Sequence, residues 1–240
     1  MAFFGITSRN ESQKRAMQVL MNDKPYVFLT GPAGTGKSLI AQAVGLEHTI
    51  EERKYRKLVY TRLQAQLGMD VGALPGDINE KTYPFIRPFL DNLEVMSDSA
   101  KQMIAYFMSG DKSKIYFDPI QTMRGGTFHQ SYVIVDEVQN LDVATMHGVA
   151  TRLGENTKMI FCGNFAQIDN VKLRDHRRNG LYQLLNGLYE AGRHEYFDHV
   201  NLAEVVRHPA IQVVEEILRN HEMAAEFEAL EARGSVEAVT

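Results

Sequence analysis

Two sets of residues in this chain have the types and the spacing to work on a phosphate. Gly31, Pro32, Ala33, Gly34, Thr35, Gly36, Lys37 and Ser38, with Leu39 behind them, spell a complete G-x-x-x-x-G-K-[ST] loop. Glycines let successive backbone N–H groups converge on phosphate oxygens. A following helix aims its positive end at the same anion. Lys37 then reaches the β- and γ-phosphates of a nucleoside triphosphate such as ATP, and the Ser38 hydroxyl can ligate Mg²⁺. The second set is Asp136 and Glu137, in VIVDEVQN. An aspartate at the end of a buried strand holds Mg²⁺, and a glutamate directly after it is placed to deprotonate an attacking water. An acidic pair is also an ordinary helix start. Its coexistence with the loop turns the reading toward hydrolysis.

Gln167, in GNFAQ, follows an apolar run and would lie beside the γ-phosphate if that strand neighbours the one feeding the loop. The alternative is a plain turn, with Asn and Gly chosen for their backbone angles.

These residues are far apart in sequence, so a scaffold must gather them. Apolar, β-branched runs at 26–30, 57–61, 131–136, 158–162 and 197–202 read as strands. Helical periodicity is expected over 7–22, 37–53, 91–108 and 142–153, and again from 209 onward. The glycine- and proline-rich stretch 68–90 reads as an ordered loop or insertion. Alternating strands and helices predict an α/β fold: one parallel sheet with helices on both faces, three layers in all, and chemistry at the carboxyl ends of the strands. The chain is expected to form one domain over 1–240, with a loop-rich insertion at 68–125 and a flexible tail at 233–240.

Composition narrows the classes. Hydrophobic residues at 44% and charged residues at 23% are ordinary for a globular protein. The single cysteine, Cys162, cannot form an internal disulfide and fits a reducing compartment. No apolar stretch approaches the ~18 residues of a membrane span, and the first residues lack a secretory pattern, so a cytoplasmic location is expected. The histidines show no zinc-ligand spacing. A net charge of −4 means that nucleic-acid binding would need a local basic surface.

The segments GPAGTGKS, LPGDINEKTYPFIRP, QTMRGGTF, VIVDEVQN, TRLG, GNFAQID and LAEVVRH, in this order over about residues 10–220, resemble the PhoH-like ATPases. That family is related to the core domain of superfamily 1 helicases. The resemblance implies a RecA-like P-loop fold, Mg²⁺-dependent ATP hydrolysis and a role in RNA or DNA remodelling. Two positions depart from the family pattern: Asn164 stands where aspartate is common, and Leu63 follows Arg62 where proline is usual. By the same resemblance Gln13 is expected to read the adenine edge, though a solvated helix residue is the alternative.

Hydrolysis of this type uses an arginine against the γ-phosphate. Arg207, in LAEVVRH, resembles the helicase arginine that meets it. Arg152, in TRLG, and Arg124, in MRGGT, are further candidates, and each is equally readable as a surface ion pair. The related helicases carry this arginine on a second core domain. This chain is too short for two, so a neighbouring copy is expected to supply it in a homo-oligomer, a ring such as a hexamer. RNA or single-stranded DNA would meet Arg53, Lys54, Tyr55, Arg56, Lys57 and Arg62, or the run 172–178. Tyr83, Phe85, Arg87 and Phe89 would line a pore or support the site. An ATP-driven motor on nucleic acid is therefore one reading, and an ATP-switched assembly module is the other. A kinase fits less well, because DEVQN and GNFAQID suit water activation.

Overall fold

A computed structural model describes residues 2–63, 78–96, 98–108, 110–120, 125–218 and 224–235. A two-residue hairpin opens the chain, β1 (Ala2–Phe3) with β2 (Ile6–Thr7). Helix α1 (Glu11–Met21) begins only after this hairpin, because Asn10 caps it by accepting from the Gln13 N–H. Next come β3 (Tyr26–Thr30), α2 (Lys37–Leu46) with a π-helical turn at Glu47–Glu51, and β4 (Lys57–Arg62). Beyond them lie α3 (Ile78–Leu93), α4 (Asp98–Met108), β5 (Ile115–Phe117), β6 (Ser131–Asp136) and α5 (Val143–Ala150). The chain continues through β7 (Lys158–Cys162), α6 (Gly180–Glu190), β8 (Phe197–Asn201), α7 (Pro209–Leu218) and α8 (Ala225–Arg233).

Six strands pair in the order β5-β4-β6-β7-β3-β8, every pair parallel. Parallel strands need cover on both faces, and the strand sequences supply it by alternation. Val27 and Leu29 enter a core with Ala16, Leu20, Val44 and Phe89, on the side of α1 to α4. Phe28, between them, enters the opposite core with Met146, Leu185 and Phe227, on the side of α5, α6 and α8. The result is the expected three-layer, RecA-like α/β/α architecture. β7 lies between β3 and β6, so the strand that ends near Gln167 does neighbour the one that feeds the loop.

Some expectations change. Helix α3 occupies most of the stretch read as a loop up to residue 90. Phe85, Phe89 and Leu93 recur at helical spacing and bury one face, which outweighs Pro88 within the helix. Helix α6, capped by Asn179, had not been foreseen. Nor is the segment 233–235 loose: the Gly234 carbonyl accepts from the Asn201 N–H at 2.8 Å, and the Arg233 guanidinium sits 3.8 Å from the Tyr189 ring centre. Residues 236–240 lie outside the described residues, as do 68–77. Among the described residues no helix is long and apolar enough to cross a membrane.

Candidate nucleotide site

The loop stands at the carboxyl end of β3, where the chain must turn without side chains in the way. Gly31 has φ of 124°, and a Cβ on it would lie 2.2 Å from the Leu202 carbonyl oxygen. Gly36, at φ of 91°, starts α2 and faces the Gln13 amide. The Lys37 ammonium lies across the loop, donating to the carbonyls of Gly31 and Pro32 at 2.7 Å each. Burial pulls its pKa below the usual lysine range, and the Glu137 and Asp136 carboxylates are among the groups that oppose the shift.

A cavity of about 720 Å³ opens over this loop. Ala33, Gly34, Gly36, Lys37, Ser38 and Leu39 line it, while Gly31, Pro32 and Thr35 stand behind. Asp136 and Glu137 line it from β6; Asn164 and Gln167 follow β7, and Arg207 follows β8. Ser38 Oγ donates to Asp136 Oδ1 at 2.8 Å, so the two oxygens expected to share a cation already meet. They are hard donors and few, the set Mg²⁺ takes when it keeps most of its water and binds through substrate phosphates. Asp136 Oδ2 accepts from the Tyr60 hydroxyl at 2.8 Å. Burial, then the Asp136 charge, lifts the Tyr60 phenol well above its ordinary range, so it remains a donor.

Glu137 sits at φ of 56°, a left-handed conformation that costs a non-glycine residue energy and turns its side chain away from the strand direction. Burial, then the Asp136 charge, raises its pKa; a hydrogen bond from Gln139 and the charges of Arg62 and Lys37 pull it back. Gln139 escaped the sequence reading, since a glutamine between valine and asparagine looks like any turn residue. It is fully buried. Its Nε2 donates to Glu137 Oε2 at 2.6 Å and to the Gln167 carbonyl at 3.1 Å, and its Oε1 accepts from the Asn164 N–H at 3.1 Å. One amide thus ties the Glu137 carboxylate to the turn after β7. Asn164 is buried too. Its Oδ1 accepts from the Ala166 N–H, but its Nδ2 has no partner.

Gln13 lines the same cavity, with its Nε2 donating to the Thr35 carbonyl at 2.9 Å and its Oε1 accepting from the Arg9 N–H at 2.8 Å. It ties α1 to the loop. Arg207 is exposed, its stem against Gly34, and the Val206 N–H donates to the Gly34 carbonyl. Arg152 is elsewhere: it follows α5 and precedes β7, at the amino end of the sheet, with its Nε donating to the Gly148 carbonyl. Arg124 lies outside the described residues, as does the Tyr83 side chain. Tyr55, expected to meet nucleic acid, is 6% exposed and packs against His48 and Tyr132. Phe85 and Phe89, expected to line a pore or support the site, are buried against Tyr60.

A family model described as PhoH-like protein matches residues 5–219. The chain is 32% identical over 219 residues to Protein PhoH2 of Thermobispora bispora, covering 90% of this chain and 48% of that protein. It is 37% identical over 164 residues to Protein PhoH of Escherichia coli K12, covering 68% of this chain and 45% of that protein. The chain thus spans about half the length of the curated relatives it matches. Among solved structures, the Pif1 helicase from Candida albicans aligns with a TM-score of 0.46 at 13% identity, covering 90% of this chain and 44% of that one. The HK97 bacteriophage large terminase gives 0.49 at 10% identity, covering 95% and 47%. Likenesses this loose do not bear on function.

Proposed function

The chain belongs to the PhoH-like family, and from that premise we propose that it is a Mg²⁺-dependent ATPase whose turnover drives binding or movement along RNA or single-stranded DNA. The observation that carries the hydrolytic part is Glu137, a carboxylate of raised pKa held by Gln139 in the cavity that contains Lys37, Ser38 and Asp136. With ATP bound, the loop N–H groups take the phosphates, and Lys37 exchanges the Gly31 and Pro32 carbonyls for β- and γ-oxygens. Ser38 and Asp136 would hold the magnesium that accompanies ATP, and that ion would supply charge neutralisation at the phosphates. Glu137 accepts the proton of the attacking water.

Asn164 and Gln167 stand on the turn after β7, the strand beside the loop strand, and both line the cavity, which supports a role for Gln167 beside the γ-phosphate. Gln13 has one N–H and one lone pair left for the adenine edge after its two contacts with the protein. Arg207 lines the cavity, which supports assigning it, ahead of Arg152, to the γ-phosphate of its own chain. Arg152 can serve only the site of another copy, and that contact is what a homo-oligomeric ring would add.

The nucleic-acid part rests on exposed cations. Lys172, Arg177 and Arg178 lie on the turn after β7, at the carboxyl end of the sheet with the site, and the two arginines share one acidic partner, Asp175. The test is ATP turnover with and without single-stranded RNA or DNA over a salt series. Stimulated turnover and binding that weakens steeply with salt are expected. Turnover that ignores both polymers, with no salt-sensitive binding, rejects the motor and leaves the ATP-switched assembly module.

A further inference from the structure

Tyr60 carries a buried hydroxyl whose partner is the carboxylate expected to hold the metal. Asp136 receives three donors: Ser38 Oγ at 2.8 Å and the Glu137 N–H at 3.1 Å on Oδ1, and the Tyr60 hydroxyl at 2.8 Å on Oδ2. A cation shared by Ser38 and Oδ1 competes with the first contact, whereas the contact on Oδ2 survives its arrival. Tyr60 is therefore the donor that fixes the carboxylate both before and after a metal binds.

The Tyr60 ring is itself fixed. It is 1% exposed, and the rings of Phe89, Phe85 and Phe117 stand edge-on around it, with centres 5.4, 6.1 and 6.2 Å away. Phe85 and Phe89 belong to α3, and α3 is tied to the loop helix. Gln42, one turn beyond Ser38 on α2, donates from Nε2 to the Phe89 carbonyl at 3.1 Å and accepts on Oε1 from Asn92 Nδ2 at 3.0 Å. The two oxygens that would share the cation are thus linked by a second, longer route: Ser38 through α2 and Gln42 to α3, then through Phe89 and Tyr60 to Asp136. Phenylalanine would fill the same aromatic space, so packing alone does not require a hydroxyl here.

We infer that Tyr60 is a positioning residue for the metal site, orienting Asp136 toward the cation it shares with Ser38, with α3 holding the phenol in place. This rests on the proposed ATPase reading. Partners that orient metal ligands are typically worth 10- to 100-fold in metal affinity.

The test uses the full chain and Mn²⁺ as a spectroscopically visible cation. Mn²⁺ affinity in the presence of ADP is measured by electron paramagnetic resonance, and ADP affinity in EDTA by calorimetry. Tyr60→Phe is expected to weaken Mn²⁺ about tenfold and to leave metal-free ADP binding unchanged. Unchanged Mn²⁺ affinity, or equal losses with and without metal, overturns the assignment and returns Tyr60 to a packing role. If the wild-type protein binds no Mn²⁺ with ADP, the ATPase reading itself falls. Should the phenylalanine variant not fold, Tyr60→Met, which also lacks the donor, is read by the same criteria.

Discussion

The two ends of the sheet each bury a lysine on backbone carbonyls, Lys158 and Lys37, but they surround it differently. At the amino end, Lys158 is 1% exposed and donates to the carbonyls of Asn22 and Lys24 and to Asn22 Oδ1, at 2.9 to 3.1 Å. Around it Lys24 pairs with Asp198 at 2.9 Å and Lys54 with Asp23 at 2.8 Å. Lys158 itself meets only neutral oxygens, and burial, reinforced by Lys54, pulls its pKa down to about 7, with Asp198 and Asp23 opposing. At the carboxyl end two adjacent carboxylates, Asp136 and Glu137, share one cavity, Glu137 holds a left-handed backbone, and its pKa is raised by burial and by the Asp136 charge. A lysine held by carbonyls inside the protein builds structure, whereas two like charges crowded at a cavity, with a raised pKa, mark a candidate site.

The contrast is broken most directly at Glu137. Replacing it by glutamine keeps the shape and the Gln139 contact region but removes the base. Turnover is expected to fall by about 10² to 10⁴-fold while ATP affinity stays near wild type; near-normal hydrolysis in a steady-state assay would reject Glu137 as the base. The raised pKa gives a companion measurement. A base works deprotonated, so the acid limb of kcat/KM should lie above the ordinary glutamate range. Gln139→Leu, which removes a hydrogen bond that lowers that pKa, should move the limb to still higher pH.

At the other end, Lys158→Met should do the reverse. The carbonyls of Asn22 and Lys24 lose the ammonium, while Asn22 Oδ1 keeps the Lys24 N–H, so unfolding in urea should show a loss of about 2 kcal/mol. Turnover per folded molecule should be unchanged. A variant of wild-type stability, or one folded but slow, would erase the distinction between the two ends.

The legible part of the molecule was the part whose chemistry is local. A phosphate loop needs its glycines and lysine within a few residues, and an acidic pair needs only the end of a strand, so 31–38 and 136–137 could be read directly. Residues defined by what folds against them were not legible. Gln139 and Tyr60 act across strands, and nothing in VQN or in KLVYTR marks them. Prolines hid α3, because its stabilisation comes from burying Phe85 and Phe89 against Tyr60, not from helix propensity. Arg152 looked as close to the site as Arg207 because sequence order does not say which end of the sheet a connection visits. Tyr55 looked exposed among cations, yet its ring closes the core beside His48.

The mildest expected effect compares His48, buried beside the amino end, with His199, half-buried in the middle of β8. Burial, reinforced by Lys54, pulls His48 down to about 4, and burial with Arg233 pulls His199 down to about 3. His199 lies between the hydroxyls of Thr30 and Tyr189, at 2.8 and 3.1 Å, and Thr30 is the residue before the phosphate loop. Both rings stay neutral in the folded chain where an unfolded histidine, near 6.5, takes a proton. The unfolded state therefore binds more protons below that pH, so stability should be intact above 6.5 and decline as pH falls toward 4. Each histidine should contribute at most about 1.4 kcal/mol per pH unit. Carboxylates add to any acid transition, so the quantity to measure is the slope of unfolding free energy between pH 6.5 and 5, in wild type and in His48→Gln and His199→Gln. Each variant should flatten it by about one proton. A slope unchanged in His199→Gln would mean that this ring is protonated in the folded chain, between its two hydroxyl partners.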